Sequence, residues 1–145
     1  MQSGFDYKMT HGVALGVKSL TLKDGKNVRL QIWDLGDQER FRSLRKLYFA
    51  GALSTILLYD ITNKESSNIN NLDEWCQEIR TNAGDIPILL VGNKRDLPEN
   101  REVSSEDALM LNEHFNLSGT LEISAKTGEN VEEMFIQLSK LMLTE

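Results

Sequence analysis

Asn93-Lys94-Arg95-Asp96 closes the apolar run Ile88-Leu89-Leu90-Val91-Gly92, and Ser124-Ala125-Lys126 follows the next short apolar run downstream. These residue types suit recognition of a guanine base. A carboxylate such as Asp96 accepts two hydrogen bonds, one from the guanine N1–H and one from the exocyclic amine, a pair that adenine cannot supply. Asn93 can tether neighbouring loops, the stem of Lys94 can lie over one face of the base, and the backbone N–H of Ala125 can point at the base carbonyl. Guanine is then selected because the wrong base leaves polar groups unpaired. Asn-Lys-x-Asp fixes only three residues and is a moderate signal alone; Ser-Ala-Lys after the following strand makes it specific. A polar turn running into Leu97-Pro98-Glu99-Asn100 would not explain that second segment.

The loop that usually cradles nucleotide phosphates, Gly-x-x-x-x-Gly-Lys-Ser/Thr, does not occur in the 145 residues. Gly25-Lys26 does not substitute for it, because Leu20 stands at the first glycine position and Asn27 follows the lysine.

Strand-like and helix-like patterns alternate along the chain, which predicts a single α/β domain with a mainly parallel sheet. Residues 13–22 and 27–34 flank Lys23-Asp24-Gly25-Lys26, and Asp-Gly between alternating apolar runs predicts a hairpin. Residues 54–61, 87–92 and 120–124 are short apolar runs of the kind covered on both faces. Helical spacing links Ile69, Leu72, Cys76 and Ile79, then Ala108, Leu109, Leu111 and Phe115, then Val131, Met134, Phe135, Leu138, Leu141 and Met142. Ser104 and Asp107 have the spacing of a capping box opening the second helix. In an open parallel sheet, ligands bind beyond the carboxyl ends of the strands. Asp34, Asn93, Lys94, Asp96 and Ser124 fall at such ends.

Sixteen Lys+Arg against 22 Asp+Glu give a formal charge of -6, which argues against nucleic-acid binding through phosphate contacts. A lone cysteine, Cys76, cannot form an internal disulfide, so cytoplasmic residence is the expectation. No apolar run approaches the roughly 20 residues of a membrane span. The end of the chain, Lys140-Leu-Met-Leu-Thr-Glu145, has no cysteine for prenylation, so no intrinsic membrane anchor is expected.

Arg29-Leu-Gln-Ile-Trp-Asp34, Gln38-Glu-Arg-Phe-Arg-Ser-Leu44, Tyr48-Phe-Ala-Gly-Ala52, Leu58-Tyr-Asp-Ile-Thr62, Asn93-Lys-Arg-Asp96 and Ile123-Ser-Ala-Lys-Thr-Gly128 occur in that order. Together they resemble consecutive motifs of the Ras-superfamily small GTPases, most of all the Rab branch, over residues 7 to 145. The resemblance implies a P-loop-NTPase-like sheet with helices on both faces and a switch that binds GTP or GDP with Mg²⁺ and hydrolyses GTP. It implies that Asp34 holds Mg²⁺ through water, that Gln38 orients the attacking water, and that Thr10 ligates Mg²⁺ and senses the terminal phosphate. Effector and regulatory proteins are the implied partners, engaged through the switch regions.

Two departures from the family pattern set further expectations. Asp37 stands where the family's Asp-x-x-Gly motif has glycine, close to the terminal phosphate. At ~5 Å and an effective dielectric of ~20, each pair of like unit charges costs about 3 kcal/mol, so impaired hydrolysis is expected. Met1 falls near the start of the first switch, so the family's first strand, phosphate loop and first helix are expected to be missing. That strand would lie between the strands ending at Asp34 and Ile61. Without it the chain is expected to self-associate, to join those two strands directly, or to accept a strand from a partner. A pseudo-GTPase that binds proteins without turnover, and a degenerate fragment, are the alternatives.

Overall fold

The computed structural model describes residues 5–10, 13–35 and 42–143. The chain forms two compact units, Met1–Gly51 and Ala52–Glu145.

The first unit is an antiparallel meander in which β1 (Phe5–Thr10) pairs with β2 (Val13–Thr21), and β2 with β3 (Asn27–Leu35). The Asp-Gly signal is right: Thr21 faces Asn27 across the ladder, and Gly25 takes φ +90° in the turn, where a side chain would be strained. Asp24 accepts from the Lys26 N–H at 3.0 Å, a side-chain bond that fixes the turn locally. Helix α1 (Arg42–Phe49) buries Arg45 and Phe49, one helical turn apart. Its Tyr48 ring meets Trp33 of β3 at 4.7 Å between centroids.

The second unit holds a parallel sheet, β4 (Thr55–Asp60), β5 (Ile88–Asn93) and β6 (Gly119–Glu122), in that spatial order. Helix α2 (Ile69–Ala83) connects β4 to β5, α3 (Ser105–His114) connects β5 to β6, and α4 (Val131–Leu143) follows. Ile88, Leu89, Leu90 and Val91 of β5 are all buried, which is what a continuous apolar run in a central strand requires. Leu72, Cys76 and Ile79 of α2 and Met134, Phe135 and Leu138 of α4 complete the core. The capping box is present, with Ser104 accepting from the Asp107 N–H and Asp107 from the Ser104 N–H.

Two expected core positions are exposed instead. Ile69 is the first residue of α2, ahead of the turn that packs, and Leu109 lies about 100° round the helix from buried Ala108. In strand order, β3 is an outer strand of the first unit's sheet and β4 an outer strand of the second unit's.

An ion pair ties the second unit together between the segment before α3 and the end of β6. Arg101 grips Glu122 bidentately at 2.8 and 2.6 Å and also donates to the Val103 carbonyl at 2.7 Å. Hydrogen bonds from Arg101 hold the Glu122 carboxyl below the ordinary glutamate range, against the opposing effect of burial.

Beside this pair, Tyr59 is buried and its hydroxyl has no hydrogen-bond partner among the described residues. Desolvation pushes the phenol up to about 12. Because an unpaired buried hydroxyl is destabilising, Tyr59→Phe is expected to raise stability by about 1 kcal/mol in urea unfolding. A loss of stability would show that the hydroxyl is satisfied.

Candidate guanine-binding site

The site is built at the carboxyl end of β5. Gly92 lets this strand pass close to β4: a Cβ there would lie 2.7 Å from Ile61 Cγ2 and 2.8 Å from Tyr59 Cζ and hydroxyl. Both neighbours are buried, so they cannot swing aside. Gly92→Ala is therefore expected to cost about 1–3 kcal/mol in thermal or urea unfolding. Wild-type stability in that variant would show that the packing yields.

Asn93, the last residue of β5, ties the loops that follow two strands. Its Oδ1 accepts the Lys94 N–H at 2.8 Å and the Ala125 N–H at 2.9 Å. Its own carbonyl accepts the Ile61 N–H at 3.1 Å, and the Arg95 N–H donates to the Ile123 carbonyl at 3.0 Å. Lys94 sits at φ 73°, in the left-handed region that a lysine enters at some cost. The bond from Asn93 to the Lys94 N–H helps hold the chain there.

Ser124 is fully buried, yet its hydroxyl is used twice: it donates to Asp96 Oδ1 at 2.8 Å and accepts the Thr127 N–H at 3.1 Å. The Ser124 carbonyl accepts the Gly128 N–H at 2.8 Å, with Gly128 at φ 86°, which closes the turn carrying Ala125 and Lys126. Asp96 is thus oriented by a residue 28 positions away. Each carboxylate oxygen has two lone pairs. Asp96 Oδ2, and one lone pair of Oδ1, can therefore meet a donor pair on a base.

The residues expected from sequence, Asn93, Lys94, Asp96, Ser124, Ala125 and Lys126, are brought together around these two loops. The Ala125 N–H, the donor expected to face a base carbonyl, donates here to Asn93 Oδ1 at 2.9 Å.

Asp60, which sequence reasoning passed over, also belongs to this cluster. It ends β4 in the same register row as Asn93, and its carboxylate meets Lys94 Nζ at 2.8 Å. Burial alone would raise its pKa, but hydrogen bonds from Lys94 and Thr62 outweigh that and hold the carboxyl below the ordinary aspartate range. Its place at a strand's carboxyl end was the available signal.

Thr10 and Asp34 belong to the first unit. Thr10 ends β1 opposite Val13, which pairs in turn with Leu35; Asp34 lies within β3, opposite Ala14, whose other partner is Met9. The two residues therefore occupy adjacent rows of the ladder, on strands flanking β2, and Asp34 is inside its strand, not beyond it. Asp37 and Gln38 lie outside the described residues. Among the described residues there is no cluster of three or more His, Cys, Asp or Glu that could hold a metal, and no helix long and apolar enough to cross a membrane.

The Ras family model matches residues 2–144. The chain is 41% identical over 143 residues to the Ras-related protein Rab-4 of Dictyostelium discoideum, covering 97% of this chain and 68% of that protein. It is 41% identical over 135 residues to the Ras-related protein Rab-19 of Homo sapiens and 40% identical to that of Rattus norvegicus, covering 92% of this chain and 61% of each. The chain thus spans about two thirds of the length of the relatives it matches. With ordered motifs, an α/β fold and a family match over nearly its whole length, the chain belongs to the Ras family of small GTPases.

Proposed function

We propose that the second unit binds guanine nucleotides, and that the chain works as a Rab-like GTP/GDP switch in which this unit supplies base recognition. The observation that carries the proposal is the hydrogen bond from Ser124 to Asp96. A buried hydroxyl that orients a half-exposed carboxylate costs chain entropy, and the oriented carboxylate matches the two donors on guanine's Watson–Crick edge. Asn93, by holding the Ala125 turn against the Lys94 loop, keeps the two halves of the site together.

The finer elements of the switch rest on family resemblance. Asp34 and Thr10 would hold Mg²⁺, whose charge would offset that of the β- and γ-phosphates. Gln38 would orient water for GTP hydrolysis, and Asp37 would repel the terminal phosphate and slow turnover. Effector or regulatory proteins would engage the switch regions, and a strand-donating or self-associating partner would pair at β3 or β4, outer strands of the two sheets. Cytoplasmic residence fits the lone buried cysteine.

Calorimetric titration of the chain with GDP and with ADP, each with Mg²⁺, tests the proposal. Saturable heat with GDP and none with ADP is expected. Equal affinity for both would refute base recognition.

A further inference from the structure

Asp60 ends β4 in the same register row as Asn93, next to the loop that carries Lys94. Its Oδ1 accepts both the N–H and the hydroxyl of Thr62, at 2.8 and 2.6 Å, so the carboxylate is oriented by its own strand end. Ser66 fixes the backbone of the same residue: its hydroxyl oxygen accepts the Asp60 N–H at 2.9 Å, and its proton goes to the Asn63 carbonyl at 2.7 Å. The remaining oxygen, Oδ2, receives Lys94 Nζ at 2.8 Å. That acceptor would be in place whether or not the lysine came to it.

Lys94 needs such an anchor. Its side chain is half exposed, and a lysine stem left free loses several rotatable bonds when it is ordered against a ligand. An ammonium held at Asp60 has already lost that freedom. The stem between a fixed backbone at φ 73° and a fixed ammonium can then form one wall of the base site before any ligand arrives.

We propose that Asp60 is a positioning residue for guanine recognition: aimed by Thr62, it anchors the Lys94 ammonium so that the lysine stem stands preformed as a wall of the pocket. The proposal rests on the guanine-binding function assigned to Asn93, Lys94 and Asp96. With its lysine half exposed, the pair contributes modestly to stability, and the effect of Asp60 on binding is carried by the geometry of Lys94.

The test is a double-mutant cycle on the full chain, with GMP and AMP as probes and NMR as the readout. Asp60→Asn keeps the size of the side chain and an oxygen for Thr62, and removes the charge that holds Lys94. It is expected to weaken GMP binding about five-fold, the scale of one long side chain's ordering entropy. The same change in a Lys94→Ala background is expected to have no further effect, because the anchor then has nothing to hold. Without ligand, the Lys94 side-chain resonances of the wild type should show restricted motion that Asp60→Asn abolishes. Thr62→Val, which removes one of the two bonds aiming the carboxylate, is expected to give a smaller loss of the same kind and serves if Asp60→Asn fails to fold.

Equal loss of GMP binding with and without Lys94 would overturn the proposal, since Asp60 would then act on the fold or on the ligand directly. Unchanged GMP binding in Asp60→Asn would overturn it too. A wild-type chain that answers GMP and AMP alike would instead sink the guanine assignment, and the positioning role with it, an outcome visible before any variant is made.

Discussion

Asp96→Asn is expected to turn the base preference of the pocket from guanine to xanthine. The carboxylate of Asp96 offers only acceptors, and guanine presents two donors to it, N1–H and the exocyclic amine. An asparagine held by the same Ser124 hydroxyl keeps one acceptor but sets its amide donors against the guanine amine. Xanthine carries a carbonyl in place of that amine, so the amide donor finds an acceptor and the N1–H still finds the amide oxygen. Each lost or opposed bond to a charged group is worth about 1.5–3 kcal/mol, so guanine affinity should fall about a hundred-fold or more. Titration of the variant with GMP and XMP checks this. GMP binding that survives unchanged would mean that Asp96 does not read the base.

Breaking the Arg101–Glu122 pair should be the most costly substitution for stability. Glu122 is 12% exposed and Arg101 29%, so the pair is partly desolvated and its two short bonds are poorly replaced by water. Glu122→Ala leaves a guanidinium in place with one remaining acceptor among the described residues, the Val103 carbonyl. A loss of about 3 kcal/mol is expected, the lower end for an orphaned buried partner. Urea unfolding of variant and wild type measures it, and a change below about 1 kcal/mol would place the pair with ordinary surface contacts.

The same groups set the response to acid. Glu122 and Asp60 both titrate below their ordinary values in the folded chain, so each contributes stability that is present above the unfolded carboxylate values. That contribution is lost as pH falls from the unfolded values of about 4 through the lower folded ones. The contribution of these two groups should therefore be constant from neutrality to about pH 5 and be lost below it. Glu122→Ala should lessen that loss.

Sequence patterning is most legible where local chemistry decides the outcome. Asp24-Gly25 sets the β2–β3 turn, Ser104 and Asp107 cap α3, and the apolar run at residues 88–91 becomes the buried centre of a parallel sheet. Helix α1 is less legible because a charged residue, Arg45, stands one turn before Phe49 on its buried side. Strand β1 alternates Phe5, Tyr7 and Met9 with polar residues, but it is short and its pairing depends on β2. At the site, Asn93, Lys94, Asp96 and Ser124 are readable from type and spacing. The use of Ala125 by Asn93, and the hold of Asp60 on Lys94, depend on which strand ends lie side by side, a property of sheet order that neither residue announces alone.

The most direct test of the guanine assignment is NMR of the uniformly labelled chain during titration with GMP and, separately, AMP. GMP is expected to move the resonances of Asn93, Lys94, Asp96 and Ser124 to Lys126 saturably, while AMP leaves them in place. Shifts of equal size with both nucleotides, or GMP shifts that bypass these residues, would contradict the account.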